Sequence, residues 1–116
     1  MAELEHKQKE NILILTLNRP EKRNALTFQM MEAVVHNLRR AADPDIRCVL
    51  IMGEGGNFCA GRDLGAICED TNLEYLIKFD DTYTAIFQEL VRLPKPTIAA
   101  VQGYAVGGGF SLAMGC

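Results

Sequence analysis

Three short apolar runs alternate with two helical patterns along this chain, and this alternation constrains the fold more than any other feature. The runs lie at residues 12–17, 48–52 and about 97–102. Between them, apolar side chains recur every three or four residues, the spacing that lines one face of a helix. They are Phe28, Met31, Val35, Leu38 and Ala42 in the first pattern, and Leu76, Phe79, Tyr83, Ile86, Leu90 and Leu93 in the second. This order predicts an α/β fold.

The first apolar run indicates how deeply the sheet is buried. "ILILTL" is almost continuously apolar, which is typical of a strand covered on both faces. Residues 1–11, by contrast, are polar and mixed in sign. We therefore expect a polar N-terminal tail over 1–11, followed by a folded unit over 12–116. Thr27 is the predicted N-cap of the first helix, which should end at Asp43 and Pro44.

Composition and charge exclude several classes of function. The chain has 116 residues, a net charge of −3 and no cluster of Lys and Arg, so we expect no nucleic-acid partner. Its apolar runs are far shorter than the about 20 residues that cross a bilayer, so we expect no membrane partner. No targeting signal is visible at the N-terminus, which makes the cytoplasm the expected location. The cysteines show no metal-ligand spacing, so free thiols and no metal are expected.

Three consecutive glycines, Gly107 to Gly109, separate the last apolar run from an apolar helix-like segment. Glycine inside regular structure costs roughly 0.5–1 kcal/mol relative to alanine, so a triplet implies a sharp turn or a close approach to the backbone. The segment fits neither a P-loop, nor G-x-G-x-x-G, nor G-x-S-x-G. Unpaired N–H groups at the start of a helix suit an oxyanion instead. The loop "FCAGRDL" is the obvious source of a second N–H donor.

Three blocks, "LNRPEKRNAL", "FCAGRDL" and "KPTIAAVQGYAVGGGFSLAMGC", together resemble the crotonase superfamily, that is the enoyl-CoA hydratase/isomerase family. The resemblance spans residues 12–116 and about the first half of the family's fold. It implies a crotonase-like spiral of β-β-α units, of which this chain is the N-terminal portion. The helix after the glycines, almost wholly apolar or small, should be buried on every side. We expect either another subunit to cover it or the chain to be a piece of a longer protein.

The resemblance also implies a function. Family members bind an acyl-CoA thioester and stabilise its enolate between two backbone N–H groups, which here would belong to Arg62 and Gly108. Coenzyme A is then part of the substrate, and no separate cofactor is implied. The substrate-binding positions carried over from the family are Lys22, Arg23 and Ala25 along the CoA moiety, Asp63 and Leu64 at the pocket rim, Tyr104 beside the acyl or pantetheine part, and Ala60, Gly107 and Ser111 around the donors.

Several of these residues have a plainer interpretation. Arg62 would act through its backbone, so its side chain could be that of a solvated loop arginine. Asp63 is equally explained as a helix N-cap. Lys22 and Arg23 would suit an ordinary polar turn, and Tyr104 could fill core.

Ser111 departs from the family pattern. Family hydratases carry at this position one of two glutamates that activate water, and serine has too high a pKa to replace it. The second carboxylate of the family lies beyond residue 116. The resemblance therefore favours isomerase or other non-hydratase chemistry in a full-length parent enzyme, expected to be a homotrimer or hexamer. The alternative is a truncated fragment, inactive alone, that binds a CoA thioester or a protein partner.

Overall fold

The computed structural model of the chain describes residues 2–63, 65 and 72–116. Its helices and strands follow the order β1 (Leu4–Lys9), β2 (Ile12–Leu17), α1 (Phe28–Arg40), β3 (Cys48–Gly53), α2 (Leu73–Arg92), β4 (Thr97–Ala100) and α3 (Gly108–Gly115). Short 3-10 turns at Pro20–Lys22 and Glu54–Gly56 follow β2 and β3. The predicted α/β class is confirmed.

The strands form one mixed sheet in the order β1-β2-β3-β4. Strands β2, β3 and β4 are parallel, and β1 pairs antiparallel with β2, with Leu4 opposite Leu17 and Lys9 opposite Ile12. The expectation of a polar tail over residues 1–11 was therefore wrong for Leu4–Lys9. Only Leu4 of this strand is buried, so an edge strand of charged and polar side chains has the sequence pattern of a tail.

The core lies on one face of the sheet. Leu13, Leu15 and Leu17 alternate along β2 and are fully buried, because successive strand residues point to opposite faces. The opposite face is partly open, since Ile12 is 39% and Ile98 51% exposed. This corrects the prediction that β2 is covered on both faces. Its apolar side chains point to both faces, but α1 packs on one face only, with α2 packed against α1.

The helix boundaries follow local chemistry. The Thr27 hydroxyl accepts a hydrogen bond from the Met30 N–H at 3.2 Å, which confirms the predicted N-cap. Helix α1 ends at Arg40, so Ala42 lies beyond the helix and is exposed, contrary to its place in the predicted stripe. Helix α2 begins after Asn72, whose side chain accepts from the Tyr75 N–H at 2.8 Å.

Helix α3 is only half covered within this chain. Gly109 and Leu112 are buried, whereas Phe110 is 56% and Met114 is 71% exposed. Within the described residues α3 packs through one side only, so burial of its other sides by another subunit or by a further part of the protein stays a prediction.

The parallel strands bring all three sequence blocks to one place. Strands β2, β3 and β4 run in the same direction, so their carboxyl ends share one edge of the sheet. The segments that leave this edge are residues 18–27, 54–63 and 101–107. Carboxyl edges of parallel strands are where α/β proteins commonly bind ligands.

Candidate active site

A buried asparagine fixes the first of these segments to the second. Asn24 is 0% exposed and adopts a left-handed backbone with φ of 60°. Its amide nitrogen donates to the carbonyls of Glu54 at 3.0 Å and Asn57 at 2.8 Å, and its oxygen accepts from the Arg19 N–H at 2.8 Å. Sequence reasoning missed Asn24, because its partners in the second segment lie about thirty residues away.

Backbone pairing then continues from the first segment into the glycine-containing loop. The Ala60 N–H donates to the Arg23 carbonyl at 2.9 Å, and the Leu26 N–H donates to the Gly61 carbonyl at 2.7 Å. The Asp63 N–H donates back to the Leu26 carbonyl at 2.9 Å. These bonds hold residues 60–63 like a short strand beside residues 23–26.

This pairing sets the direction of the Arg62 N–H. In a planar trans peptide the C=O and the N–H point in opposite directions. The Gly61 carbonyl points at Leu26, so the Arg62 N–H in the same peptide points away from Leu26. It donates to no acceptor within the described part of the chain.

The start of α3 orients a second N–H by the same rule. The Gly107 carbonyl accepts from the Ser111 N–H at 3.1 Å and so points along the helix. The Gly108 N–H of that peptide points out beyond the helix N-terminus. Among residues 2–63, 65 and 72–116 it has no hydrogen-bond acceptor. Helix N-termini of this kind attract negatively charged oxygen.

The two donor segments lie against each other. The Val106 N–H donates to the Cys59 carbonyl at 3.1 Å, and the Cys59 N–H donates to the Tyr104 carbonyl at 2.9 Å. A Cβ atom added to Gly61 would lie 3.0 Å from the Val106 oxygen and 3.4 Å from the Gly108 nitrogen. The backbone beside Arg62 therefore runs next to Gly108, which brings two free N–H groups to one small region.

Close packing of α3 on this loop requires glycine. A Cβ atom added to Gly109 would lie 2.1 Å from the Cys59 carbonyl oxygen, a distance that no side chain permits. The loop and the helix start are thus held at backbone-to-backbone distance. An arrangement of this kind can bind and stabilise an oxyanion.

The Arg62 side chain is anchored to α2 and is not a simple solvated loop arginine. Its guanidinium lies 3.2 Å from the Asp80 carboxylate and 4.8 Å from the centre of the Tyr83 ring. Arg62 therefore joins the loop to the helix through its side chain while its N–H faces elsewhere.

Asp63 also has a structural role. One oxygen of its carboxylate lies 2.7 Å from the Arg19 guanidinium, and the other accepts from the Gly65 N–H at 3.0 Å. The same Arg19 side chain contacts Glu3 at 3.2 Å and donates to the Ala25 carbonyl at 3.2 Å. Arg19 is a second residue that the sequence analysis quoted within a block but did not assign.

The predicted CoA-binding residues lie at the mouth of this region. Lys22 and Arg23 are exposed, and the Arg23 guanidinium lies 4.8 Å from the centre of the Tyr104 ring. Tyr104 is 50% exposed, which rules out a purely core role. Its neighbours Asn57, Gly103, Ala105 and Val106 line, together with it, an open cavity of about 420 Å³.

The remaining predicted positions are Ser111, Leu64 and the cysteines. Ser111 is exposed on α3, and its hydroxyl contacts the Gly107 carbonyl at 3.4 Å. Leu64 lies outside the described residues, as does Cys68. The other three cysteines, Cys48, Cys59 and Cys116, are free thiols.

The Cys59 side chain stabilises the loop through a hydrogen bond to its backbone. Its sulfur accepts a hydrogen bond from the Gly61 N–H at 3.4 Å. Burial raises the pKa of the Cys59 thiol to about 11, although the hydrogen bond with the Gly61 backbone opposes the shift. The thiolate is the nucleophilic form, so this thiol is inert near neutral pH.

Neither a metal cluster nor a membrane helix is found in the described ranges. No group of three or more His, Cys, Asp or Glu residues within them could hold a metal ion. Each helix within these ranges is too short or too polar to span a lipid bilayer.

Comparison with known proteins gives one consistent family. Residues 7–116 match the family model of enoyl-CoA hydratase/isomerase. The 2,3-dehydroadipyl-CoA hydratase of Escherichia coli (strain K12) is 38% identical over 117 residues, covering 100% of this chain and 45% of the relative. The 1,2-epoxyphenylacetyl-CoA isomerase of the same strain is 37% identical over 120 residues, covering 97% of this chain and 44% of the relative.

Solved structures show the same likeness. The enoyl-CoA hydratase of Mycobacterium smegmatis superposes with a TM-score of 0.93 at 34% identity, covering 100% of this chain and 46% of that structure. The chain thus spans about 45% of the length of these curated relatives.

Proposed function

Because the chain belongs to the enoyl-CoA hydratase/isomerase family, we propose that the backbone N–H groups of Arg62 and Gly108 form its oxyanion hole. The ligand is the thioester carbonyl of an acyl-CoA. When a proton leaves the carbon next to this carbonyl, negative charge moves onto the oxygen. Two N–H donors aimed at that oxygen stabilise the enolate and lower the barrier.

One observation carries this proposal. Each of the two N–H groups shares a peptide unit with a carbonyl that is already hydrogen-bonded on the opposite side. The Gly61 carbonyl, which shares its peptide with the Arg62 N–H, accepts from Leu26, and the Gly107 carbonyl, which shares its peptide with the Gly108 N–H, accepts from Ser111. Both donors are consequently oriented before any ligand arrives and have no acceptor within the described residues. Donors held in advance need no reorganisation during reaction, which is the condition for effective electrostatic catalysis.

The CoA moiety is proposed to lie along the turn that carries Lys22, Arg23 and Ala25. Both basic side chains are exposed and can meet phosphate groups. The Arg23 side chain lies over Tyr104, so the turn and the 101–107 segment together present a cationic and aromatic surface beside the cavity. Ala60, Asp63, Leu64, Gly107 and Ser111 are proposed as further substrate-binding positions from the family resemblance.

Ser111 limits the reaction class. A serine hydroxyl does not act unaided as the general base that activates water. Here the hydroxyl is directed to the Gly107 carbonyl at 3.4 Å. We therefore propose double-bond isomerisation or another enolate reaction rather than simple hydration. Relatives named as a hydratase and as an isomerase are 38% and 37% identical to this chain, so the proposal of non-hydratase chemistry rests on Ser111.

The alternative of a non-catalytic fragment that binds a CoA thioester or a protein partner has no specific observation in its favour. Assembly as a homotrimer or hexamer and location in the cytoplasm stay predictions from the sequence. No separate cofactor is proposed, since coenzyme A is part of the substrate.

The experiment that tests the proposal is the Gly108→Val substitution in the whole protein. A Cβ atom at Gly108 would lie 3.0 Å from the Tyr83 hydroxyl, so the larger side chain must displace the donor or the ring. We expect turnover of enoyl-CoA thioesters to fall by about 10²-fold or more.

Met114→Val on the exposed part of the same helix is the matched control, because it introduces the same helix-disfavouring residue away from the donors. It should leave turnover within about threefold of the wild type. Retained activity in folded Gly108→Val would contradict the assignment.

A further inference from the structure

Tyr83 contacts both residues that supply the proposed donors. Its hydroxyl lies 3.4 Å from the Gly108 carbonyl oxygen. Its ring lies beneath the Arg62 guanidinium, with 4.8 Å between the guanidinium carbon and the ring centre. Tyr83 therefore links the two donor residues through one side chain.

The approach to Gly108 is close at the hydroxyl end of the ring. A Cβ atom added to Gly108 would lie 3.0 Å from the Tyr83 hydroxyl oxygen, 3.2 Å from Cε1 and 3.3 Å from Cζ. At these distances the Tyr83 ring blocks movement of the first turn of α3 toward α2. The contact is steric first, because 3.4 Å is long for a hydroxyl hydrogen bond.

The ring itself is held in place. Phe87, one turn further along α2, packs edge-on against it with 5.0 Å between the ring centres. Asp80, about one turn earlier, binds the Arg62 guanidinium at 3.2 Å. Arg62 is thus attached to α2 at two points, of which the Tyr83 ring is one.

Tyr75 offers an internal comparison. It stands two turns before Tyr83 on the same helix and is also half-buried. Its ring packs with Phe28 at 5.9 Å and Phe79 at 6.1 Å between ring centres, and neither of these is a donor residue. Loss of the Tyr75 ring would remove packing of the same kind without touching the donors.

From these contacts we infer that Tyr83 is a positioning residue that sets the separation of the Arg62 and Gly108 N–H groups. The inference rests on the proposed function, since it concerns the geometry of that oxyanion hole. The ring acts as a spacer between the loop and the helix start. Removing it leaves a gap on the Gly108 side and takes away one of the two attachments of Arg62 to α2, so the two donors shift apart and converge less well on one oxygen. Misplacement of about 1 Å can cost about 10²-fold in rate.

The test compares the Tyr83→Leu, Tyr83→Phe and Tyr75→Leu variants of the whole protein. The probe is a 3-ketoacyl-CoA, whose enolate absorbs in the near ultraviolet and can be titrated while bound. An intact oxyanion hole stabilises this enolate and lowers the pKa of the bound ligand. The turnover number and KM of an enoyl-CoA substrate are measured alongside.

We expect Tyr83→Leu to lower kcat by about 10- to 100-fold with KM little changed, and to raise the pKa of the bound ligand by about one unit or more. Tyr83→Phe keeps the ring and should rescue both quantities to within about threefold of the wild type. Tyr75→Leu should leave both unchanged. If Tyr83→Leu does not fold, Tyr83→Met replaces it, because methionine fills similar space without a planar ring.

A Tyr83→Leu protein that binds and ionises the ketoacyl ligand like the wild type overturns the inference, whatever its stability. Equal losses in Tyr75→Leu would also overturn it, because the effect would then be general to the helix. A wild-type protein that does not lower the pKa of the ligand at all contradicts the proposed oxyanion hole itself. The two failures are therefore distinguishable.

Discussion

Each glycine of the triplet meets a different physical demand. Gly107 has φ of 55° and ψ of −121°, a conformation open to glycine almost alone, although an added Cβ atom there would touch nothing within 4 Å. Gly108 faces the Tyr83 ring, and Gly109 packs on the Cys59 carbonyl. The sequence predicts that something must approach this backbone closely. It could not show that three separate constraints coincide, because each depends on a residue far along the chain or on the turn itself.

Cys59 gives a prediction at the scale of one residue. Its thiol has a pKa raised by burial from the ordinary 9.0 to about 11. The folded state therefore holds this proton more tightly than the unfolded state. Its contribution to the free energy of unfolding is complete below about pH 9 and is lost as the pH rises toward about 11.

Urea unfolding at a series of pH values measures this effect. Cys59→Ser removes the titrating thiol but keeps an acceptor for the Gly61 N–H, so its free energy of unfolding should fall less steeply over that range. Identical pH dependence in the two proteins would mean that Cys59 is not the group responsible.

At the scale of elements, the loops at the carboxyl edge depend on one amide. Replacing Asn24 with alanine would leave the Glu54 and Asn57 carbonyls and the Arg19 N–H without their buried partner. It would also force alanine into a left-handed backbone. We expect a loss of about 2–5 kcal/mol in the free energy of unfolding, from unpaired buried groups and backbone strain together.

Asn37 is the matched control. It is 3% exposed on α1, and its side-chain oxygen is buried with no hydrogen-bond partner among the described residues. Asn37→Ala should therefore cost no more than about 1 kcal/mol. Denaturant unfolding of both variants, with Asn24→Gly to relieve the strain, separates the two contributions to Asn24. Equal costs for Asn24→Ala and Asn37→Ala would refute the role given to Asn24.

The elements themselves were unequally visible in the sequence. Strands β2 and β3 follow from their short apolar runs. The two long helices follow from apolar side chains that recur every three to four residues. Strand β1 was missed because it exposes five of its six side chains and has the composition of a loop. The open second face of the sheet was also missed. An apolar run shows that both sets of side chains could be buried, but it does not show whether another part of this chain packs on each face.

At the scale of the whole molecule, the three sequence blocks come together at one edge of the sheet because β2, β3 and β4 are parallel. The family resemblance named Arg62 and Gly108, and the pairing of the segments explains why their N–H groups are free. Arg19, Asn24 and Tyr83 were not predicted as parts of this region. Their contributions come from contacts between segments far apart in the sequence, for which no local pattern exists.

The most direct test of the proposed oxyanion hole is to observe the N–H groups of Arg62 and Gly108 themselves. In ¹⁵N-labelled protein, as its source cell makes it, the amide proton resonances of Arg62 and Gly108 are followed while a saturated acyl-CoA is added, with free coenzyme A as the control. We predict that both resonances move downfield with the thioester and not with free coenzyme A, because only the thioester carbonyl supplies the missing acceptor. If other amides respond to the thioester while these two do not, the ligand carbonyl binds elsewhere and the proposed oxyanion hole is wrong.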